Sequence, residues 1–147
     1  MMKLLCKVLI IAICGYPLTA SARDDQIAFP LLQALNFGAA QGKLDPGVKL
    51  FFGRQRHPRI AKDLGEWSTS KKTNAFAKTD QQACEWAFLS AVIALQERAR
   101  KEGANAFVNI ASNYKNFERS SESEYVCGAG GLIAGVALKG RAVLLEK

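Results

Sequence analysis

The longest periodic stretch begins after Thr79, where apolar residues recur every three or four positions. Cys84, Phe88, Ala91, Val92, Leu95 and Ala99 fall on one stripe, so the spacing predicts a helix over about 80–102 with that stripe against a sheet. Thr79 and Gln82 have the spacing of a capping box, Arg100 and Lys101 suit the negative helix end, and Gly103 supplies a left-handed stop. Beyond it the period changes. Ala106, Val108 and Ile110 alternate within 104–112 as in a half-buried strand, and 124–127, 132–138 and 142–145 read as further extended segments. The glycines 128, 130 and 131 read as a bulge or a hairpin turn. Upstream, 48–52 is rich in strand formers, and Trp67-Ser68-Thr69-Ser70-Lys71-Lys72-Thr73 reads as a polar edge strand whose lysines discourage further pairing. Pro30 is placed to start a short helix through Leu31, Leu32 and Leu35, and Gly38, Gly42, Asp45, Pro46 and Gly47 read as a turn.

These elements predict the α+β class: a small single domain with one long amphipathic helix packed on a small, mostly antiparallel sheet. Trp86, Leu89 and Ile93 lie nearly opposite the first stripe, so one sheet cannot bury both. Two covers are open. One is the N-terminal apolar segment around 29–35 folding back; the other is a homo-oligomer interface through Trp86, Leu89 and Ile93.

The first residues change the picture. A basic start with Lys3 and Lys7 runs into apolar residues from Val8 that stop at Pro17, followed by Ala20-Ser21-Ala22. That is the order of a secretory signal peptide cleaved after Ala22. The run is short of the roughly 20 residues that span a bilayer, so no transmembrane anchor is expected in the mature chain. Lipidation at Cys14 is a second alternative, but Ile13 sits where such signals want a small residue. The expected organisation is a signal peptide over 1–22, an N-terminal apolar segment and linker over 23–46, and an α+β domain over 47–147, located in the periplasm or secreted. Cleavage leaves 125 of 147 residues, +5 of the formal charge of +7, and two of four cysteines. Cys84 and Cys127 then meet an oxidising compartment, and a disulfide between them is expected. A reactive or metal-binding thiol is the alternative.

Charge is unevenly placed. Between 49 and 72, Lys49, Arg54, Arg56, Arg59, Lys62, Lys71 and Lys72 stand against only Asp63 and Glu66, a net +5 that equals the whole mature charge. Such a patch attracts polyanions, which after export means an anionic envelope component or an acidic protein and not nucleic acid. The plain alternative is a solubilising face. His57 is the single histidine and no acids cluster at ligand spacing, so a metal or small-ligand site would have to lie between subunits. There is no G-x-S-x-G elbow and no phosphate loop, so no enzyme and no cofactor is expected. A cysteine enzyme would need a reduced Cys84 or Cys127 beside His57.

The helix ending in Gly103-Ala104-Asn105-Ala106, the apolar strand after it and the later Gly135-Val136-Ala137 resemble the YbjQ-like domain family, labelled heavy-metal-binding. The same region is similar to the periplasmic domain of the lipoprotein that feeds the Rcs envelope-stress relay. Gln81-Gln82-Ala83-Cys84-Glu85-Trp86-Ala87-Phe88-Leu89 and Glu124-Tyr125-Val126-Cys127 are similar to a set of small exported proteobacterial proteins labelled excinuclease ATPase subunit. The resemblance covers 83–138 and implies a helix packed on a small sheet and a ring-like homo-oligomer. It implies no chemistry: the residues lack both a ligand cluster and a phosphate loop. The function expected is a non-enzymatic periplasmic binding or interaction module. A metal or small-ligand binder with an intersubunit site, and an envelope stress-sensing module, are the alternatives.

Overall fold

The computed structural model describes residues 22–147, so the expected signal peptide, all but its last residue, lies outside the described residues. The long helix forms as its sequence dictates. In α2 (Asp80–Glu102) the Thr79 hydroxyl accepts the Gln82 N–H at 3.1 Å and the Gln82 side chain accepts the Thr79 N–H at 3.1 Å. Gly103 closes the helix at φ 74°, in the left-handed region that glycine enters freely. Four alanines on its inner face, Ala83, Ala87, Ala91 and Ala99, let the backbone lie close to the sheet, and Cys84, Phe88, Val92 and Leu95 fill the space between.

Six strands make the sheet: β1 (Asp25–Pro30), β2 (Lys49–Phe52), β3 (Ile60–Asn74), β4 (Ala106–Ser112), β5 (Glu124–Ala129) and β6 (Ile133–Leu145). β6 is the spine. Ser68 of β3 and Ala111 of β4 both pair with Lys139, so β3 and β4 occupy its two opposite edges. β5 shares the β4 edge, pairing only at Ala134 and Gly135, and carries β1 on its far side. Two strands on one edge split and curl the sheet. The buried Ser112 hydroxyl spans the split, accepting the Val126 N–H at 2.8 Å. A smaller cluster, Ala106, Val108, Val143 and Leu145 under Phe51, packs apart from the main core.

Two expectations change. The β2–β4 pair runs parallel, Lys49 opposite Ala106, where a mostly antiparallel sheet was expected, because the long excursion through β3 and α2 returns the chain in the same direction. The short helix expected after Pro30 forms as α1 (Leu31–Ala40), runs beyond Leu35 and packs on α2. The segment 23–46 is not a separate piece before a domain starting at 47. Asp25–Pro30 pairs with β5 along its whole length, and Leu31 and Ala34 belong to the main core.

α1 also covers much of the second apolar stripe of α2. Leu89 is buried, and Gly38 makes the close approach feasible, since a Cβ there would stand 3.0 Å from Leu89 Cδ1. Phe37 meets Trp86 edge-on, with centroids 4.9 Å apart. The apolar face proposed as a subunit interface is therefore reduced to the half-buried Trp86 and Ile93, because the chain's own N-terminal helix occupies the Leu89 position.

Candidate functional site

Cys84, one turn into α2, and Cys127, in β5, form a disulfide with Cα atoms 5.9 Å apart. Both are fully buried, so the bond is a bolt between helix and sheet and neither sulfur presents a thiol for chemistry. His57 is partly covered, its Nδ1 2.8 Å from the Pro58 carbonyl oxygen and its ring edge-on to Phe51. No group of three or more His, Cys, Asp or Glu among the described residues is arranged to hold a metal ion.

The seven basic residues of 49–72 do not form one patch. β3 separates them, being 15 residues long, roughly 45 Å at the usual strand rise. Arg54, Arg56 and Arg59 lie in the loop 53–59 at one end, with Lys62 just inside the strand and Lys49 on β2. Lys71 and Lys72 lie near the other end, and the pleat sends them to opposite faces. Lys71 lines a cleft against α2, whereas the Lys72 stem lies beside Gly135 next to the Tyr114 ring.

The arginine loop is held at both ends. The Gly53 N–H donates to Ile110 O at 2.9 Å, the Phe52 N–H to the Gln55 side chain at 2.8 Å, and the Glu146 N–H to Arg59 O at 2.8 Å. Gly53 at φ 58° sits against the backbone of Ser121, where a Cβ would come within 3.1 Å. Lys49, Arg54, Arg56, Arg59 and Lys62 are exposed and make no ion pair among the described residues. The nearby carboxylate that could neutralise Lys62, Asp63, is taken by Arg141 at 2.8 Å and held below the usual range by that guanidinium and by the Gly65 N–H.

The cleft between β3 and α2, about 290 Å³, is lined by Trp67, Lys71, Arg98 and Lys101, with Ser68 and Thr69. Reading along the chain missed it, because the periodicity that marks Arg98 and Lys101 as one exposed helix face does not say that Trp67 stands opposite. The Arg98 guanidinium lies 4.3 Å over the Trp67 ring and pairs with Glu102 at 3.3 Å. It is therefore occupied within the chain, and the cleft works as a clasp that holds β3 to the helix. Asn105, part of the Gly-Ala-Asn-Ala turn, is likewise structural: it accepts the Leu145 N–H at 2.7 Å and donates to Leu145 O at 3.2 Å.

Fold and site together define a small disulfide-bonded domain of mixed α and β structure, whose uncompensated charge is presented on a braced loop. No family model, no curated protein and no solved structure matches this chain. No helix among the described residues is long and apolar enough to cross a membrane.

Proposed function

We propose that this chain is a non-enzymatic interaction module of the bacterial envelope, exported by cleavage after Ala22 and related to the YbjQ-like domains, which docks onto an anionic envelope component through the 53–59 loop. The observation that carries the reading is the set Arg54, Arg56 and Arg59, solvent-exposed on a loop braced at both ends and without an acidic partner among the described residues. Glu122 lines the same depression as Arg54, but none of the three arginines is paired among the described residues, and exposed cations on a braced backbone steer anionic surfaces. The buried disulfide supports the exported setting, since such bonds persist in oxidising compartments.

Reversal of Arg54, Arg56 and Arg59 to glutamate tests it. Binding to immobilised lipopolysaccharide is expected to weaken at least about tenfold and to lose its salt dependence. Association that survives the reversal unchanged removes the reading.

A homo-oligomer is the second reading, favoured by the outer edge of β3, which pairs with no strand among the described residues. Its first half carries Lys62, Asp63 and Glu66, a net −1, and its second half Lys71 and Lys72, so antiparallel pairing of two copies sets opposite net charges against each other and closes a two-fold dimer. The molar mass of the mature protein in solution decides it: a monomer at micromolar concentration ends this reading.

A further inference from the structure

The end of the sheet opposite the arginine loop carries a different surface. There the turn 75–78 and the turn 130–132 meet, joined by the Ala75 N–H donating to Leu132 O at 2.8 Å and by the pairing of Asn74 with Ile133. Three large apolar side chains project from this one end: Phe76 at 67 % exposure, Leu132 at 68 % and Ile133 at 55 %. Scattered exposed apolar residues are ordinary, but three on adjoining turns form a patch that water solvates poorly.

The patch is built, not loose. The Asn74 side chain accepts the Phe76 N–H at 2.8 Å, the Lys78 N–H donates to Ala75 O at 3.1 Å, and Ala77 is held at φ 57°, a conformation that L-residues adopt only when their surroundings impose it. On the other turn, the Gly130 N–H donates to Ile133 O at 3.0 Å. The backbone of the turn is thereby fixed with Phe76 on its outer side.

Cations stand just behind it. Lys78 sits in the turn itself, its Nζ donating to Asn74 O at 2.9 Å, and Lys72 and Lys71 lie two and three residues back from Asn74 along β3. None of the three makes an ion pair among the described residues; of the acids nearby, Asp25 and Asp80 are taken by Arg23 and Asp24 by Lys115, while Glu85 lines the same depression as Lys78 and accepts from the Gln81 side chain at 3.1 Å.

We infer that this tip is a membrane-surface docking site, in which Phe76, Leu132 and Ile133 enter the headgroup boundary of an anionic phospholipid layer while Lys71, Lys72 and Lys78 meet its phosphates. The combination selects a lipid surface over an acidic protein: apolar side chains at the apex gain only where there is an acyl boundary to enter, and cations set back from the apex match the depth of the headgroups. A single tip of this size gives reversible binding, not anchoring.

Co-sedimentation of the mature protein with vesicles of phosphatidylglycerol and phosphatidylethanolamine tests the inference. Phe76→Ser and Leu132→Ser are each expected to weaken partitioning about tenfold, and Lys72→Gln with Lys78→Gln to abolish the preference over phosphatidylcholine vesicles. A Phe76→Trp variant reads insertion directly, as blue-shifted emission on vesicle addition. Vesicle binding by the serine variants equal to that of the native chain overturns the proposal, as does an emission spectrum of the Phe76→Trp variant that vesicles leave unmoved. A change in solution molar mass caused by the serine substitutions, without a change in vesicle binding, assigns the tip to a second copy of the chain and overturns it as well. Because the tip and the 53–59 loop occupy opposite ends of β3, the arginine reversal and the tip variants fail independently.

Discussion

Gln96 and Asp45 are joined by two part-buried hydrogen bonds: the Gln96 side-chain oxygen accepts the Asp45 N–H at 2.9 Å, and its amide donates to Asp45 O at 3.0 Å. The same amide reaches Val48 O at 3.0 Å, so one side chain of α2 satisfies three backbone groups of the turn that leads into β2. Arg100 one turn further on pairs with the Asp45 carboxylate. Gln96→Met keeps the volume and leaves all three backbone groups unpaired. A loss of about 1–3 kcal/mol is expected, read as a lower urea midpoint at unchanged slope.

The disulfide closes a separation of 43 residues, for which chain entropy gives about 4 kcal/mol. Cys84→Ala with Cys127→Ala is therefore expected to lower stability by up to about that amount in urea titration, and reductant to lower the native chain to the same level. A native chain insensitive to reductant after full unfolding and refolding would contradict the expectation.

Gly128 carries a steric requirement of its own. A Cβ there would stand 2.1 Å from the Tyr114 ring, which lies across the sheet at that point and also touches the space beside Gly135. Gly128→Ala must displace Tyr114 and break its 2.7 Å hydrogen bond to Asp24, at a cost of about 1–3 kcal/mol. Tyr114→Ala in the same chain is expected to recover part of that loss, a non-additivity that a double-mutant cycle measures.

Three carboxylates are held below their ordinary range by a basic neighbour: Asp24 by Lys115 and then Tyr114, Asp45 by Arg100, Asp63 by Arg141. A depressed folded-state value means stability that is fully present above about 3.9 and is lost as pH falls through the lower folded values. Thermal midpoints are thus expected to fall on acidification below pH 4, less steeply in high salt and in Asp24→Asn or Asp63→Asn variants. On the alkaline side Tyr114 is pushed up to about 12 by burial and then by Asp24. Its contribution holds below the unfolded value of about 10 and disappears as pH rises towards the folded one, and Tyr114→Phe removes that alkaline dependence.

Much of α2 was legible because the signals that make it are local. The Thr79–Gln82 box, the inner stripe and Gly103 act within a turn of their own positions, and a cysteine on that stripe had to face the sheet. The polar edge character of β3 was legible for the same reason, its alternation being carried by its own residues. β1 was not, since Asp25-Gln26-Ile27-Ala28-Phe29-Pro30 shows no clean period and is a strand only because β5 offers it an open edge. Nor was the direction of β2 against β4: side chains alternate alike in parallel and antiparallel pairs.

The chain's own order of residues thus determined the long helix with its caps, the strand-forming segments and the cysteine that faces inward. Only the tertiary structure decided that α1 covers Leu89, that seven basic residues adjacent in sequence divide between the two ends and two faces of β3, and that Phe76, Leu132 and Ile133 share one tip. Periodicity and capping operate over a few residues, whereas edges, faces and neighbours are set by backbone pairing between segments tens of residues apart.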